Sequence, residues 1–208
     1  MQPRPVEFYS NPFLPFPILQ GKWEFEKLLD IFKKHKPMKT LEIGSFYGGT
    51  LWHWIKNSPP KSNIVSVDML VPEHDPRREQ QEVCRNRWFP IAFSEDRITL
   101  KTFLGDSSTE EAVGFMEQYA PYDFIFIDGN HSYDGVKKDF DNALKMAAPG
   151  AIIVLHDILP AIWWTSIEVW RLWNEIVDEG YVTQALYSNR EQFYGETMSS
   201  FGIGVVRL

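Results

Sequence analysis

The chain has a single cysteine, no excess of basic residues and no apolar run long enough to span a bilayer. One thiol, Cys84, excludes an internal disulfide framework and a cysteine-rich zinc site. The formal net charge of −7 argues against a nucleic-acid partner or an anionic membrane surface. Because the N-terminus also lacks a signal-peptide pattern, the sequence favours a reducing, cytoplasmic setting without membrane contact.

Internal repeats are absent too, and 208 residues suit one domain with a full core. Residues 1–20 are rich in proline and aromatic side chains, and proline excludes regular helix there. We predict an N-terminal arm over 1–20 and a single domain over 21–208. The arm either packs on its own domain or on a partner subunit, as in a homodimer, or is a loosely ordered tail.

A glycine-rich stretch over residues 40–50 organises the chain. Leu41–Ile43 is typical of a buried strand and the residues after the glycines are typical of a helix, as at the start of a βαβ unit. Gly44 lets the chain turn sharply off the strand, because glycine tolerates positive φ. Gly48 and Gly49 bare the backbone N–H groups at the helix start, where the helix dipole favours an anion.

The stretch lacks the middle glycine of a dinucleotide-binding fingerprint, since Phe46 stands at that position. This substitution disfavours a nicotinamide-dependent oxidoreductase. The pattern is instead acidic-x-Gly-x-x-x-Gly-Gly, which suits a smaller anion such as an amino-acid carboxylate. Glu42, at the end of the strand, is then the residue expected to hold an ammonium group.

Seven apolar segments are typical of strands, and the order of strands and helices predicts the fold class. The strands are expected at 41–43, 64–68, 98–104, 124–127, 151–157, 182–186 and 201–206. We predict an α/β fold, Rossmann-like and doubly wound. Its sheet is seven-stranded and mostly parallel, with helices on both faces and an antiparallel edge strand formed by the last pair.

Two helices have clear apolar faces. The first covers 23–36, with Trp23, Leu28, Ile31 and Phe32 expected on one face. The second follows Asp128 and is expected to continue through Ala147 until Pro149-Gly150 ends it.

Ligands of such sheets bind over the carboxyl ends of the strands, and polar residues follow several of these ends. Asp68, which ends the second strand, is placed to accept the two ribose hydroxyls of an adenosine. The residues that converge at this edge are Glu42, Gly44, Asp68, Asp106, Asp128, His131, His156 and Asp157. Their convergence is stronger support for a site than any one motif.

Two motifs carry a resemblance to a known family. The glycine-rich stretch resembles motif I of class I S-adenosylmethionine (SAM)-dependent methyltransferases. The run Ile127-Asp128-Gly129-Asn130-His131-Ser132-Tyr133 resembles an Ile-Asp-Gly-Asp-His-Ser-Tyr signature. That signature belongs to small-molecule and sugar O-methyltransferases with cephalosporin hydroxylase-like relatives. The ending His156-Asp157 and the Val169–Trp173 patch are also similar, so the resemblance covers most of 40–175.

The resemblance implies SAM as cofactor and transfer of its methyl group to a hydroxyl of a small molecule, with a sugar as one candidate. It implies that Asp106 accepts from the adenine amine, while Ser107 either contacts the cofactor or caps the next helix. The cofactor-binding residues that it implies are Glu42, Gly44, Ser45, Tyr47, Gly48, Gly49, Asp68, Met69, Gly105, Asp106, Ser107 and Asp128.

Methyl transfer to a hydroxyl needs alignment and a means of removing the hydroxyl proton. His131 and His156 are the candidate bases, beside Asp128 as a further catalytic residue. Asp128 and Asp157 are candidate ligands for Mg²⁺.

Two residues differ from those expected at their positions in the family signature and in related metal-dependent enzymes. Asn130 replaces the second acid of the signature, and Ile158 stands where related metal-dependent enzymes have a third ligand. The alternative is therefore an accessory protein that binds SAM without transfer. A nucleic-acid methyltransferase is disfavoured by the acidic balance and by the lack of an Asn-Pro-Pro-Tyr-like motif.

Overall fold

The structure is a computed structural model that describes residues 18–93, 98–160, 166–187 and 202–208. The helices in these ranges are α1 (Lys22–His35), α2 (Gly49–Asn57), α3 (Arg78–Phe93), α4 (Glu110–Glu117), α5 (Tyr133–Met146) and α6 (Val169–Asp178). The strands are β1 (Lys39–Ile43), β2 (Ser62–Asp68), β3 (Ile98–Leu104), β4 (Tyr122–Ile127), β5 (Ala147–His156), β6 (Val182–Leu186) and β7 (Ile203–Arg207). The predicted arm up to residue 17 lies outside the described residues.

One seven-stranded sheet has the order β3-β2-β1-β4-β5-β7-β6. The first five strands pair in parallel, whereas β7 runs antiparallel to both β5 and β6. The predicted fold class is confirmed. The chain leaves β1 in one direction along the sheet for β2 and β3, and in the other for β4 and β5. This reversal opens a crevice at the carboxyl ends of β1 and β4.

Helices cover both faces, because the central strands are apolar on both sides. One core cluster joins β1 and β4 side chains to Met116 of α4, Phe140 of α5 and Ile176 of α6. The other joins the opposite face of the sheet to Phe25 of α1 and Trp54 of α2. The two layers thus bury both faces of the strands whose carboxyl ends carry the polar residues.

The predicted apolar face of α1 was partly wrong. Phe25, Leu28, Leu29 and Phe32 are buried, whereas Trp23 is 44 % exposed. At 100° per residue the buried four share one stripe, and Trp23 falls on the opposite side.

The boundary between α5 and β5 was also misplaced. Ala147 begins the strand, where it pairs with Tyr122, and α5 ends one residue earlier. Pro149 and Gly150 therefore lie within the strand instead of ending the helix. None of the helices in the described ranges is long and apolar enough to cross a bilayer.

Candidate active site

A cavity of about 1190 Å³ lies over the carboxyl ends of β1, β2, β4 and β5. This volume lies slightly above the roughly 300–1,000 Å³ that is typical of a pocket for a small ligand. The predicted residues that line it are Gly44, Ser45, Tyr47, Gly49, Asp68, Met69, Gly105, Asp106, Ser107, Asp128, His131, His156 and Asp157. Two predicted cofactor-binding residues, Glu42 and Gly48, are outside this lining.

The glycine-rich turn owes its shape to two glycines. Gly44 has φ +86°, and an added Cβ would clash with the Asp128 carbonyl oxygen, because the turns after β1 and β4 pass so closely. Gly48 has φ +80° and precedes the first turn of α2, which has no side-chain cap. The turn therefore brings the start of α2 to the edge of the cavity, as the sequence predicted.

Glu42 lies in the core beneath this turn and not in the cavity. It is fully buried, and its Oε1 accepts hydrogen bonds from the Thr50 hydroxyl and, over 3.3 Å, from Trp54 Nε1. Burial raises the pKa of Glu42 to about 8, so the carboxyl holds its proton at neutral pH. The structure thus places Glu42 away from the direct ammonium contact expected of it.

Asp68 is only 6 % exposed and is held by two residues of α3 that the sequence analysis missed. Arg85 Nη1 donates to Asp68 Oδ2 over 2.6 Å, and Gln81 Nε2 lies 3.3 Å from the same oxygen. Burial raises the pKa of Asp68, and the Arg85 guanidinium opposes that shift. The sequence feature that could have indicated these contacts is the spacing of Gln81 and Arg85, which lie one helical turn apart on the helix that follows Asp68.

The turn after β3 carries Asp106 at the cavity. Its Oδ1 accepts from the Ser108 backbone N–H over 2.8 Å, and hydrogen bonds to Ser108 lower the pKa of Asp106. The cap of α4 is Thr109, whose hydroxyl accepts from Ala112 N over 3.2 Å. Ser107 lines the cavity instead of capping this helix, so the capping alternative is wrong.

Two aspartates and two histidines meet at the ends of β4 and β5. Asp128 Oδ1 lies 3.3 Å from His131 Nε2 and 3.1 Å from His156 Nδ1. Asp157 Oδ2 lies 3.5 Å from His131 Nε2 and 3.6 Å from His156 Nδ1. The structure therefore brings together all four residues expected to perform chemistry, although they come from two strand ends 28 residues apart.

The pKa shifts of the four side chains differ in direction and cause. Asp128 has its pKa lowered, because both imidazoles stabilise the carboxylate against the effect of burial. Burial raises the pKa of Asp157. The surrounding carboxylates raise the pKa of His131, and they raise that of His156 well above its usual range. His156 is 4 % exposed and lies buried beside both aspartates, whereas the His131 side chain is 36 % exposed.

Three further residues support the cluster without having been predicted. Glu24 Oε1 lies 3.8 Å from His156 Nε2, and its other oxygen accepts from the Gly202 N–H over 3.0 Å. Gln20 Nε2 donates to Asp128 Oδ2 over 2.7 Å. Glu168 N donates to the His131 carbonyl over 2.8 Å. No local pattern could have found these contacts, because Gln20 and Asp128 are 108 residues apart.

Asp128, His131 and Asp157 form a group that could hold a metal ion. One ligand atom from each lies within 4.8 Å of the others. The third member of this group is His131, which the sequence analysis gave only as a candidate base. Ile158 is buried, and the Asn130 oxygen accepts from the Ser132 backbone N–H over 3.0 Å at the start of α5.

A family model described as a methyltransferase domain matches residues 41–158. The match spans the glycine-rich turn, Asp68 and the whole Asp/His cluster. No curated protein matches the chain significantly by sequence.

Solved structures match the fold over nearly the whole chain. The O-methyltransferase TomG of Streptomyces achromogenes, in complex with SAM, has a TM-score of 0.64 at 16 % identity, covering 94 % of this chain and 83 % of that one. An O-methyltransferase of Bacillus cereus in complex with S-adenosylhomocysteine (SAH) has a TM-score of 0.61 at 19 % identity, covering 90 % of this chain and 80 % of that one. An SAH-bound methyltransferase of Podospora anserina has a TM-score of 0.59 at 16 % identity, covering 91 % of this chain and 79 % of that one. At these identities the likeness shows the fold alone.

Proposed function

This chain belongs to the family of methyltransferase domains, and from that premise we propose that it transfers a methyl group from SAM to a hydroxyl of a small molecule. The observation that carries the proposal is the single cavity shared by the glycine-rich turn, Asp68 and the Asp128/His131/Asp157 group. The first two are suited to a cofactor and the third to activation of a hydroxyl. The net charge of −7 supports a small acceptor over a nucleic acid.

The chain's residues fit SAM at three places. Asp68 would accept the ribose hydroxyls with the oxygen that Arg85 does not occupy. Asp106 would accept from the adenine amine. The start of α2, without a side-chain cap, would receive the carboxylate of the amino-acid part. Bound SAM supplies an electrophilic methyl group on a sulfonium, whose leaving thioether needs no proton.

His131 is the base that the geometry favours over His156. In the neutral ring an N–H on Nε2 would face Asp128 and Asp157, which leaves the lone pair of Nδ1 to take the proton of the acceptor hydroxyl. His156 would remain an imidazolium that balances the charge of the two aspartates, since it is buried among them. Glu168 holds the His131 loop in place through the backbone.

The alternative that we propose to a His131 base is a divalent cation at Asp128, His131 and Asp157, since an imidazole that binds a cation cannot also take the hydroxyl proton. Two carboxylates and one imidazole suit Mg²⁺ poorly compared with Mn²⁺, because nitrogen ligands favour transition metals. A cation there would supply Lewis-acid activation of the hydroxyl. Mn²⁺ titration followed by electron paramagnetic resonance should show one site, weakened at least about tenfold in Asp157→Asn. Full turnover in EDTA would contradict a cation requirement and leave His131 as the base.

The first experiment is a calorimetric titration with S-adenosylhomocysteine, with Asp68→Ala as the control variant. We expect micromolar binding that the variant weakens by about 10- to 100-fold, since a charge-assisted pair of hydrogen bonds is lost. A hydroxyl panel assayed for methyl transfer then tests the acceptor class. No binding by the wild-type protein would overturn the proposal.

The second candidate is a SAM-binding accessory protein without transfer. Asn130 favours it, because the amide that replaces the acid of the signature lines the cavity without a charge and its oxygen accepts from Ser132 at the start of α5. Binding of S-adenosylhomocysteine without methylation of any hydroxyl in the panel would support this candidate. Size-exclusion chromatography tests the homodimer expected from the apolar N-terminal segment.

A further inference from the structure

The residues that lead into α1 pass over the glycine-rich turn. Ile18 and Gln20 both line the cavity. Ile18 is 2 % exposed and lies so near Gly49 that an added Cβ there would be 2.8 Å from its Cγ1. Gly21 precedes α1 as its N-cap, and its N–H donates to Glu24 Oε1 over 2.8 Å. The helix start and the Ile18 contact therefore fix Gln20 between the turn and the cluster.

The Gln20 side chain has one satisfied end and one unsatisfied end. It is 3 % exposed, and its Nε2 donates to Asp128 Oδ2 over 2.7 Å. A carboxylate only accepts hydrogen bonds, so the amide must turn its NH₂ group toward Asp128 and its oxygen away. Within the described residues, Gln20 Oε1 is buried and has no donor. A buried acceptor on a cavity wall is destabilising unless water or a ligand supplies the donor.

The cofactor has a group that needs such an acceptor. Glu42, expected to hold the ammonium, lies buried in the core, where its side chain accepts from Thr50. The amino-acid part of SAM belongs at the start of α2, and Ile18 brings the Gln20 segment against that start at Gly49. Asp128 adds negative charge beside the amide. An ammonium has three donors and no acceptor, so it matches a carbonyl oxygen next to a carboxylate.

We propose, on the basis of the proposed function, that Gln20 Oε1 accepts a hydrogen bond from the ammonium group of bound SAM. Gln20 thereby takes the place that the sequence suggested for Glu42. It also holds Asp128 through its NH₂ group, and so connects cofactor binding to the reacting cluster.

The test compares three ligands in wild-type protein and Gln20→Met, which keeps the side-chain volume. S-adenosylhomocysteine has the ammonium, its desamino analogue lacks only that group, and methylthioadenosine lacks the whole amino-acid part. The variant should weaken S-adenosylhomocysteine by about 10- to 100-fold. The other two ligands should bind both proteins equally well. Glu26→Gln, on the exposed side of α1, is the control and should change none of the affinities.

Equal weakening of all three ligands would overturn the proposal, because Gln20 would then act only on the structure of the pocket. Weakening of the desamino analogue would overturn it too, since the contact would be with the carboxylate. Unchanged S-adenosylhomocysteine affinity in the variant would refute the ammonium contact while leaving the proposed function intact. Only failure of the wild-type protein to bind S-adenosylhomocysteine would refute both.

Discussion

The two halves of the cavity neutralise their buried carboxylates in different ways. In the half proposed for adenosine, Asp68 pairs with the Arg85 guanidinium over 2.6 Å. In the half proposed for reaction, Asp128 and Asp157 lie among the imidazoles of His131 and His156. An arginine stays charged at every physiological pH, whereas an imidazole can exchange a proton or bind a cation. This difference supports binding as the proposed role of the first half and reaction as the proposed role of the second.

The sharpest way to break this comparison is His131→Ala. Loss of a general base or of a metal ligand should slow methyl transfer by about 10²–10⁴-fold. The affinity for S-adenosylhomocysteine should stay within about threefold, because Asp68 and Asp106 are untouched. Calorimetry and single-turnover rates measure the two quantities. An equal loss of affinity and rate would show that the halves are not separable.

Arg85→Met should act in the opposite sense. Asp68 would lose its cation, its pKa would rise further, and cofactor affinity should fall about tenfold, or ~1.4 kcal/mol. At saturating cofactor the transfer rate should match that of the wild type, since the reacting cluster is intact. A lower rate at saturation would contradict a purely binding role for this half.

Glu42 lies beneath both halves, and its titration should affect stability. Burial raises its pKa from 4.5 to about 8, so the folded protein keeps a proton that the unfolded chain releases. The contribution to stability is full below pH 4.5 and is lost as the pH rises toward about 8. Glu42→Gln does not titrate, so urea unfolding should show that its stability relative to the wild type rises by about 2–3 kcal/mol between pH 5 and pH 7. A constant difference would place the carboxyl in water.

The smallest expected effects come from the helix caps of the two halves. Thr109→Ala and Ser132→Ala each remove a capping hydroxyl, at the start of α4 and of α5, and should each lower stability by about 1 kcal/mol. Only Ser132→Ala should also slow transfer, because Ser132 follows His131 directly. Thermal unfolding and turnover of the pair compare the halves. A slower Thr109→Ala enzyme would contradict the assignment of that half to binding.

The strands and their polar ends were predictable because each depends on local sequence. A short apolar run followed by Asp68 or Asp128 predicts a buried strand with an acid at its end. The spacing of Gly44 and Gly48 indicates a turn before the chain has any tertiary contacts. The ammonium contact predicted for Glu42 was not found, since nothing in the local sequence shows that its side chain points into the core toward Trp54.

What sequence alone determined is thus the order of the strands along the chain, their carboxyl-end residues and the glycines that allow the turn, since these follow from periodicity and backbone sterics. Only the tertiary structure decided that Arg85 pairs with Asp68, that His131 joins Asp128 and Asp157, and that Gln20 reaches Asp128. Each of these contacts joins separate elements. Their charges and hydrogen-bond partners are set by which elements pack together, and no spacing within one element specifies that.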